Sequence, residues 1–230
     1  MVGILIQLAL SWLVLWFYDR SSLTVLGIKP TRERLRHLML FFAVTALFSA
    51  SVFGLRMWIG HQRWEPNPAW TWTLIAFGVW FNVKSVIYEE LIFRGALFYM
   101  LIQRFGTRWA IAVSASTFGA YHWFSQGSLG DIPSMAITFI VTGSMGFVLA
   151  YAFVKTRSLF VPFAIHFGWN SIQQVIFSNG PIGSQWLIPA APESEVTVSY
   201  PAFLFMLLFP IVGVLVVNTW LIRRIKVAST

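Results

Sequence analysis

Glu89, His122, His166 and Asn170 have the side-chain types and the placement to do acid–base chemistry together. They lie in strongly apolar sequence, with Lys84, Glu90 and Arg94 near the first of them. An ionisable group near a bilayer centre costs on the order of 2.5–3.5 kcal/mol, so the six titratable members of this set would cost roughly 15 kcal/mol if placed singly. Such residues need partners and are functional candidates by default. A carboxylate beside a neutral imidazole can take a proton from water, and a second imidazole with an amide N–H can donate to an oxyanion. That set suits hydrolysis without a covalent intermediate. Glu89, His122 and His166 could equally bind a divalent metal such as Zn2+ as three protein ligands with a fourth position open.

Spacing divides these residues by role. Glu90 and Arg94 are i and i+4 on one helix face, suited to an intrahelical ion pair, whereas Glu89 points about 100° away. Glu90 therefore reads as structural support and Glu89 as a group facing elsewhere. His166 and Asn170 share a second face, which Gln173 or Gln174 extends, and Phe118 and His122 share a third. In a membrane bundle the polar faces of three helices are cheapest when turned together around a hydrated cavity. Taken singly, an intramembrane histidine or asparagine is ordinarily interhelical hydrogen bonding, and a Glu–Arg pair can be purely structural. Their joint occurrence argues for a site.

Other protease signatures fail. No His-Glu-x-x-His occurs, since His122 and His166 are followed by Trp123 and Phe167. Ser128-Leu129-Gly130-Asp131 lacks the first glycine of an aspartyl-type motif, and Ser144 in Gly143-Ser144-Met145-Gly146 reads as a small packing residue. Without cysteine there is no thiol nucleophile and no disulfide framework.

The elements that must position these groups are membrane spans. Of 230 residues, 57% are hydrophobic and 10% charged, and mean hydropathy is +0.72, which places the chain in the membrane class. Apolar runs cover Val2 to Tyr18, Leu38 to Gly60, Trp70 to Gln103, Thr107 to Phe124, Pro133 to Val154, Ser158 to Ser178 and Pro201 to Ile222. The third has 34 residues and would be about 51 Å long as one helix, well beyond a ~30 Å hydrocarbon core. It must tilt, break or re-enter. Thr142, Gly146 and Ala150 put small residues on one stripe, a close-packed helix interface.

The net charge of +8 is explained by the loops rather than by nucleic acid. Arg20, Lys29, Arg32, Arg34, Arg36, Arg104, Arg108, Lys155, Arg157, Arg223, Arg224 and Lys226 mark alternate connections, while 125–131 and 179–200 carry no Lys or Arg. That alternation predicts an all-α polytopic bundle of about seven spans, possibly eight, in one domain over 1–230, with the N-terminus outside and the C-terminus cytoplasmic.

Glu89-Glu90-x-x-x-Arg94, Phe118-x-x-x-His122 and His166-x-x-x-Asn170, in that order on successive hydrophobic helices, resemble the CAAX prenyl protease and bacteriocin-processing (Abi, or CPBP) family of intramembrane endopeptidases. The resemblance covers a motif-bearing core of about 83–178. It implies that Glu89 and His122 activate water, that His166 and Asn170 stabilise the oxyanion, and that Glu90 and Arg94 hold the first helix. It leaves open a metal-dependent or a glutamate mechanism. Seven spans, where the prenyl proteases have eight, are the main departure.

The expected partners are the lipid bilayer and a peptide or protein substrate at the membrane, and the compact, tail-free chain points to a bacterial cytoplasmic membrane. Two other functions fit parts of the pattern. Lys84, Glu89, Glu90 and His122 could relay protons in an ion-coupled transporter, and a non-catalytic immunity or scaffold protein could keep the same fold.

Overall fold

The computed structural model describes residues 1–190 and 198–225. Lys226 and the centre of the 179–200 loop lie outside those residues. Seven α-helices make up nearly all of it: α1 (Val2–Asp19), α2 (Arg32–Trp58), α3 (Trp72–Arg94), α4 (Ala96–Ser125), α5 (Ile132–Thr156), α6 (Phe160–Asn170) and α7 (Tyr200–Arg224). A 3-10 turn (Leu23–Leu26) precedes α2, and a π turn (Ser171–Ile176) continues α6. The helix starts follow local chemistry. Thr31 and Thr71 cap α2 and α3 by accepting from the N–H groups of Arg34 and Leu74, and proline occupies the first turn of α5 and of α7.

The overlong apolar stretch breaks rather than tilts. α3 stops at Arg94 because Gly95 turns the chain; a Cβ there would sit 2.1 Å from the Leu91 carbonyl oxygen, so only glycine fits. Gly106, at φ 81°, breaks α4 into parts spanning 96–105 and 107–125. The second glycine sits on the boundary between two of the predicted apolar runs.

The chain is an integral membrane helical bundle. α1, α2, α5 and α7 are each long and apolar enough to cross a bilayer. The seven crossings expected from loop charge would also need α3, the 107–125 part of α4, and α6 with its π turn. Two short strands were not foreseen. β1 (Trp64–Pro66) pairs antiparallel with β2 (Leu187–Pro189), Glu65 opposite Ile188. The Asn67 amide secures this junction by donating to the carbonyls of Ser184 and Gln185, and Phe53 stacks on Phe177 beneath it with Trp64 edge-on to both.

α2 packs along α6, and α4 along α5. The α4–α5 contact uses the small residues expected of it: at Gly146 a Cβ would meet Phe118 at 3.1 Å and the Ala115 backbone at 3.2 Å. Phe41, Phe93, Phe118, Leu149 and Ile165 form the main core, so α3, α4 and α6 are fixed against one another where the polar residues lie.

Candidate active site

The site is built on α3. Glu90 and Arg94, one turn apart, form the expected ion pair, with Nη1 3.1 Å from Oε1, and both side chains are almost completely buried. The guanidinium also lies 4.3 Å from the Phe118 ring centre on α4 and donates weakly to the Gly146 carbonyl on α5 at 3.4 Å. Arg94 thereby ties three helices together. The absence of a side chain at Gly146 is what lets α5 approach.

Glu90 does more than the spacing argument assigned to it. Its Oε1 also accepts from Nδ1 of His166 on α6 at 2.8 Å. Because an ionised carboxylate only accepts, this bond places a proton on Nδ1 and turns Nε2 the other way. Nε2 faces Glu89, 3.8 Å from Oε2. Two adjacent carboxylates on α3 thus address opposite nitrogens of one imidazole. Glu89 Oε1 also accepts from Ser85 one turn earlier at 3.5 Å, a partner the i, i+4 spacing made legible but which sequence reasoning passed over.

His122, on α4, donates through Nδ1 to the carbonyl of Phe118 at 2.8 Å, which leaves Nε2 as its free acceptor. The Phe118 ring lies 4.5 Å from the His122 ring and meets His166 edge-on at 5.7 Å. A cavity of about 140 Å³ is lined by His122, His166 and Asn170, with Thr142, Trp169 and Gln126 among its other walls. Glu89 stands beside His166 at the edge of this group.

Some expected groups point elsewhere. Lys84 lies over the Trp80 ring at 5.8 Å, and no ion pair joins it to an acid among the described residues. Gln173 does not extend the His166–Asn170 face: the π turn redirects it to donate to Ser49 on α2 and to accept from Asn179.

Among the described residues no three His, Asp or Glu side chains converge closely enough to hold an ion, so Glu89, His122 and His166 are not gathered here as a ligand set. Nε2 of His166, with Nδ1 held by the Glu90 carboxylate, has by itself the disposition of a ligating imidazole. The arrangement offers two imidazoles and an amide on a small, mostly apolar cavity with the Glu89 carboxylate beside one of the imidazoles, able to accept a proton and to donate to a developing negative charge.

Fold and site together define an integral membrane helical protein with a buried carboxylate–imidazole centre. Residues 68–172 match the family model described as type II CAAX prenyl endopeptidase, Rce1-like. This match agrees with the resemblance of the Glu89-Glu90-x-x-x-Arg94, Phe118-x-x-x-His122 and His166-x-x-x-Asn170 motifs to the CAAX prenyl protease and Abi (CPBP) family. The matched stretch contains α3 to α6 and every candidate site residue. No curated protein and no solved structure gives a match.

Proposed function

We propose that the chain is an intramembrane endopeptidase of the CAAX type, hydrolysing a peptide bond of a membrane-associated or C-terminal peptide substrate with activated water and no covalent intermediate. The observation that carries this reading is the meeting of Glu89 and His166 at 3.8 Å beside a cavity that His166 shares with His122 and Asn170.

Glu89, assisted by His122, takes a proton from water as the water oxygen attacks the scissile carbonyl carbon. The carbonyl electrons move onto its oxygen, and Asn170 and the Nε2 side of His166 donate to that oxyanion. Donation by Nε2 uses the form of His166 protonated on both nitrogens. Collapse of the tetrahedral species breaks the C–N bond, and the proton held on Glu89 passes to the leaving nitrogen. Glu90 and Arg94 touch no substrate; they hold His166 and the α3–α4–α5 junction in place.

The alternation of loop charge supports a seven-span arrangement with the N-terminus outside and the C-terminus cytoplasmic, in a bacterial cytoplasmic membrane. A transporter relay through Lys84 is less well supported, because that amine is turned to Trp80. The test is cleavage of a membrane-anchored reporter peptide by purified protein in lipid vesicles. Glu89→Ala is expected to lower turnover at least 100-fold, within the range typical of general-base removal, while the protein still inserts and unfolds at its usual temperature. Full activity in that variant would overturn the proposal. If the variant lacks activity but retains its effect in cells, the non-catalytic reading holds instead.

A further inference from the structure

One face of α3 carries a row of groups leading from the loop around Gln185 to the candidate base. Gly78, Asn82, Ser85 and Glu89 follow at spacings of four, three and four residues, which keeps them on one stripe. At the head of this row two primary amides meet at Gly78. Asn82 Nδ2 donates to the Gly78 carbonyl at 3.2 Å. Gln185 lies so close that a Cβ on Gly78 would be 2.6 Å from its Oε1.

Gln185 is firmly held. Its backbone N–H donates to the Ser178 hydroxyl at 2.8 Å, its Nε2 donates to the Ile182 carbonyl at 3.1 Å, and its own carbonyl accepts from Asn67 at 2.8 Å. Each amide nitrogen thus points at a carbonyl, which settles which end of each side chain is the oxygen. Those oxygens, Asn82 Oδ1 and Gln185 Oε1, are buried acceptors that no donor reaches among the described residues. The two side chains belong to residues that are 0% and 1% exposed. Further along, Glu89 Oε2 is a third acceptor in the same condition.

Buried acceptors need donors, and where protein supplies none the donor is ordinarily a water with two to four polar partners. We propose that this stripe of α3 is a water track, with water held at Gln185 and Asn82 and passed by the Ser85 hydroxyl to Glu89. About 10 Å of helix separates Asn82 from Glu89, a span of about three hydrogen-bonded waters. The track supplies the hydrolytic water from the Gln185 loop, independently of the route by which substrate arrives. Its purpose rests on the hydrolase reading above; its hydration does not. Asn82, Ser85 and Gln185 are positioning residues that bind water.

The natural chain has no cysteine, so each single-cysteine variant carries one thiol. Asn82→Cys and Ser85→Cys are compared in lipid vesicles with Trp80→Cys, which lies at similar depth on the opposite, exposed face of α3. Silver ion, water-sized and thiol-seeking, is the probe, and protection from later maleimide labelling is the readout. The two track thiols are expected to react at least tenfold faster than the thiol at 80; equal or slower reaction overturns the track. Labelling needs no substrate, so its failure leaves the protease reading standing, and absence of cleavage leaves the labelling result standing. In cleavage assays Asn82→Leu is expected to lower kcat about tenfold with KM unchanged, and Asn82→Ser, which keeps a water-binding group, to restore most of it. A loss shared in full by Asn82→Ser would count against the track.

Discussion

Nδ1 of His166 lies 2.8 Å from Oε1 of Glu90, the same oxygen that Arg94 holds at 3.1 Å. A single carboxylate oxygen therefore joins the helix that carries the candidate base to the helix that carries the candidate oxyanion donors. It also sets the direction in which the second imidazole nitrogen points.

From that sharing follows a separation of stability from activity. Glu90→Ala leaves Arg94, which is 0% exposed, without its counter-charge. Removing one member of a buried pair costs about 3–5 kcal/mol, because the other is left uncompensated. Thermal unfolding in detergent should fall accordingly. The double variant Glu90→Gln/Arg94→Met should regain much of the stability, since neither charge remains, yet stay poorly active with the carboxylate at Nδ1 of His166 gone. A double variant no more stable than Glu90→Ala would show that the pair is not what holds the junction.

Gly146 offers a second, purely steric test. A methyl group there would press on the Phe118 side chain at 3.1 Å and on the Ala115 backbone at 3.2 Å, with no flexible chain end to give way. Overpacking of this kind costs about 1–3 kcal/mol. Phe118 also supports the guanidinium of Arg94 and the rings of both histidines, so Gly146→Ala should lower cleavage as well as unfolding temperature. Gly54→Ala is the control, because nothing lies within 4 Å of a Cβ at that position. Equal behaviour of the two variants would mean that the α4–α5 approach does not set the site.

Among the described residues Glu89, His122 and His166 are not gathered as a ligand set, which gives a third expectation. If water is activated by Glu89 and His122 directly, dialysis against EDTA or phenanthroline should leave turnover within about twofold of the untreated enzyme, a change of less than ~0.5 kcal/mol in barrier. Activity that disappears on chelation and returns with Zn2+ would show that Glu89, His122 and His166 rearrange into a ligand set.

Much of the site could be read from periodicity. The Glu90–Arg94 pair, the separate direction of Glu89 and the shared face of His166 and Asn170 are consequences of 3.6 residues per turn, and each is local to one helix. The break after Arg94 was legible as a length problem, although which residue broke the helix was not. Gly95 reveals itself only when the Leu91 carbonyl is seen to occupy the place of its Cβ. The β1–β2 pairing and the insertion of Gln185 at Gly78 were not legible, because they join stretches more than a hundred residues apart that carry no strong strand pattern.

What the sequence by itself determined is that this chain is an apolar helical membrane protein with a small set of ionisable groups too costly to be left unpaired, and which of those groups share a helix face. Only the tertiary structure decided how the faces meet. It placed both carboxylates of α3 on one histidine, turned Lys84 and Gln173 away, and left acceptors on α3 in need of donors. The physical reason is that periodicity sets directions about a helix axis, whereas the choice of partner depends on how closely two axes approach. Here that approach is set by the packing of Gly146 against Phe118 and Ala115, where a single methyl group would press α5 away from α4.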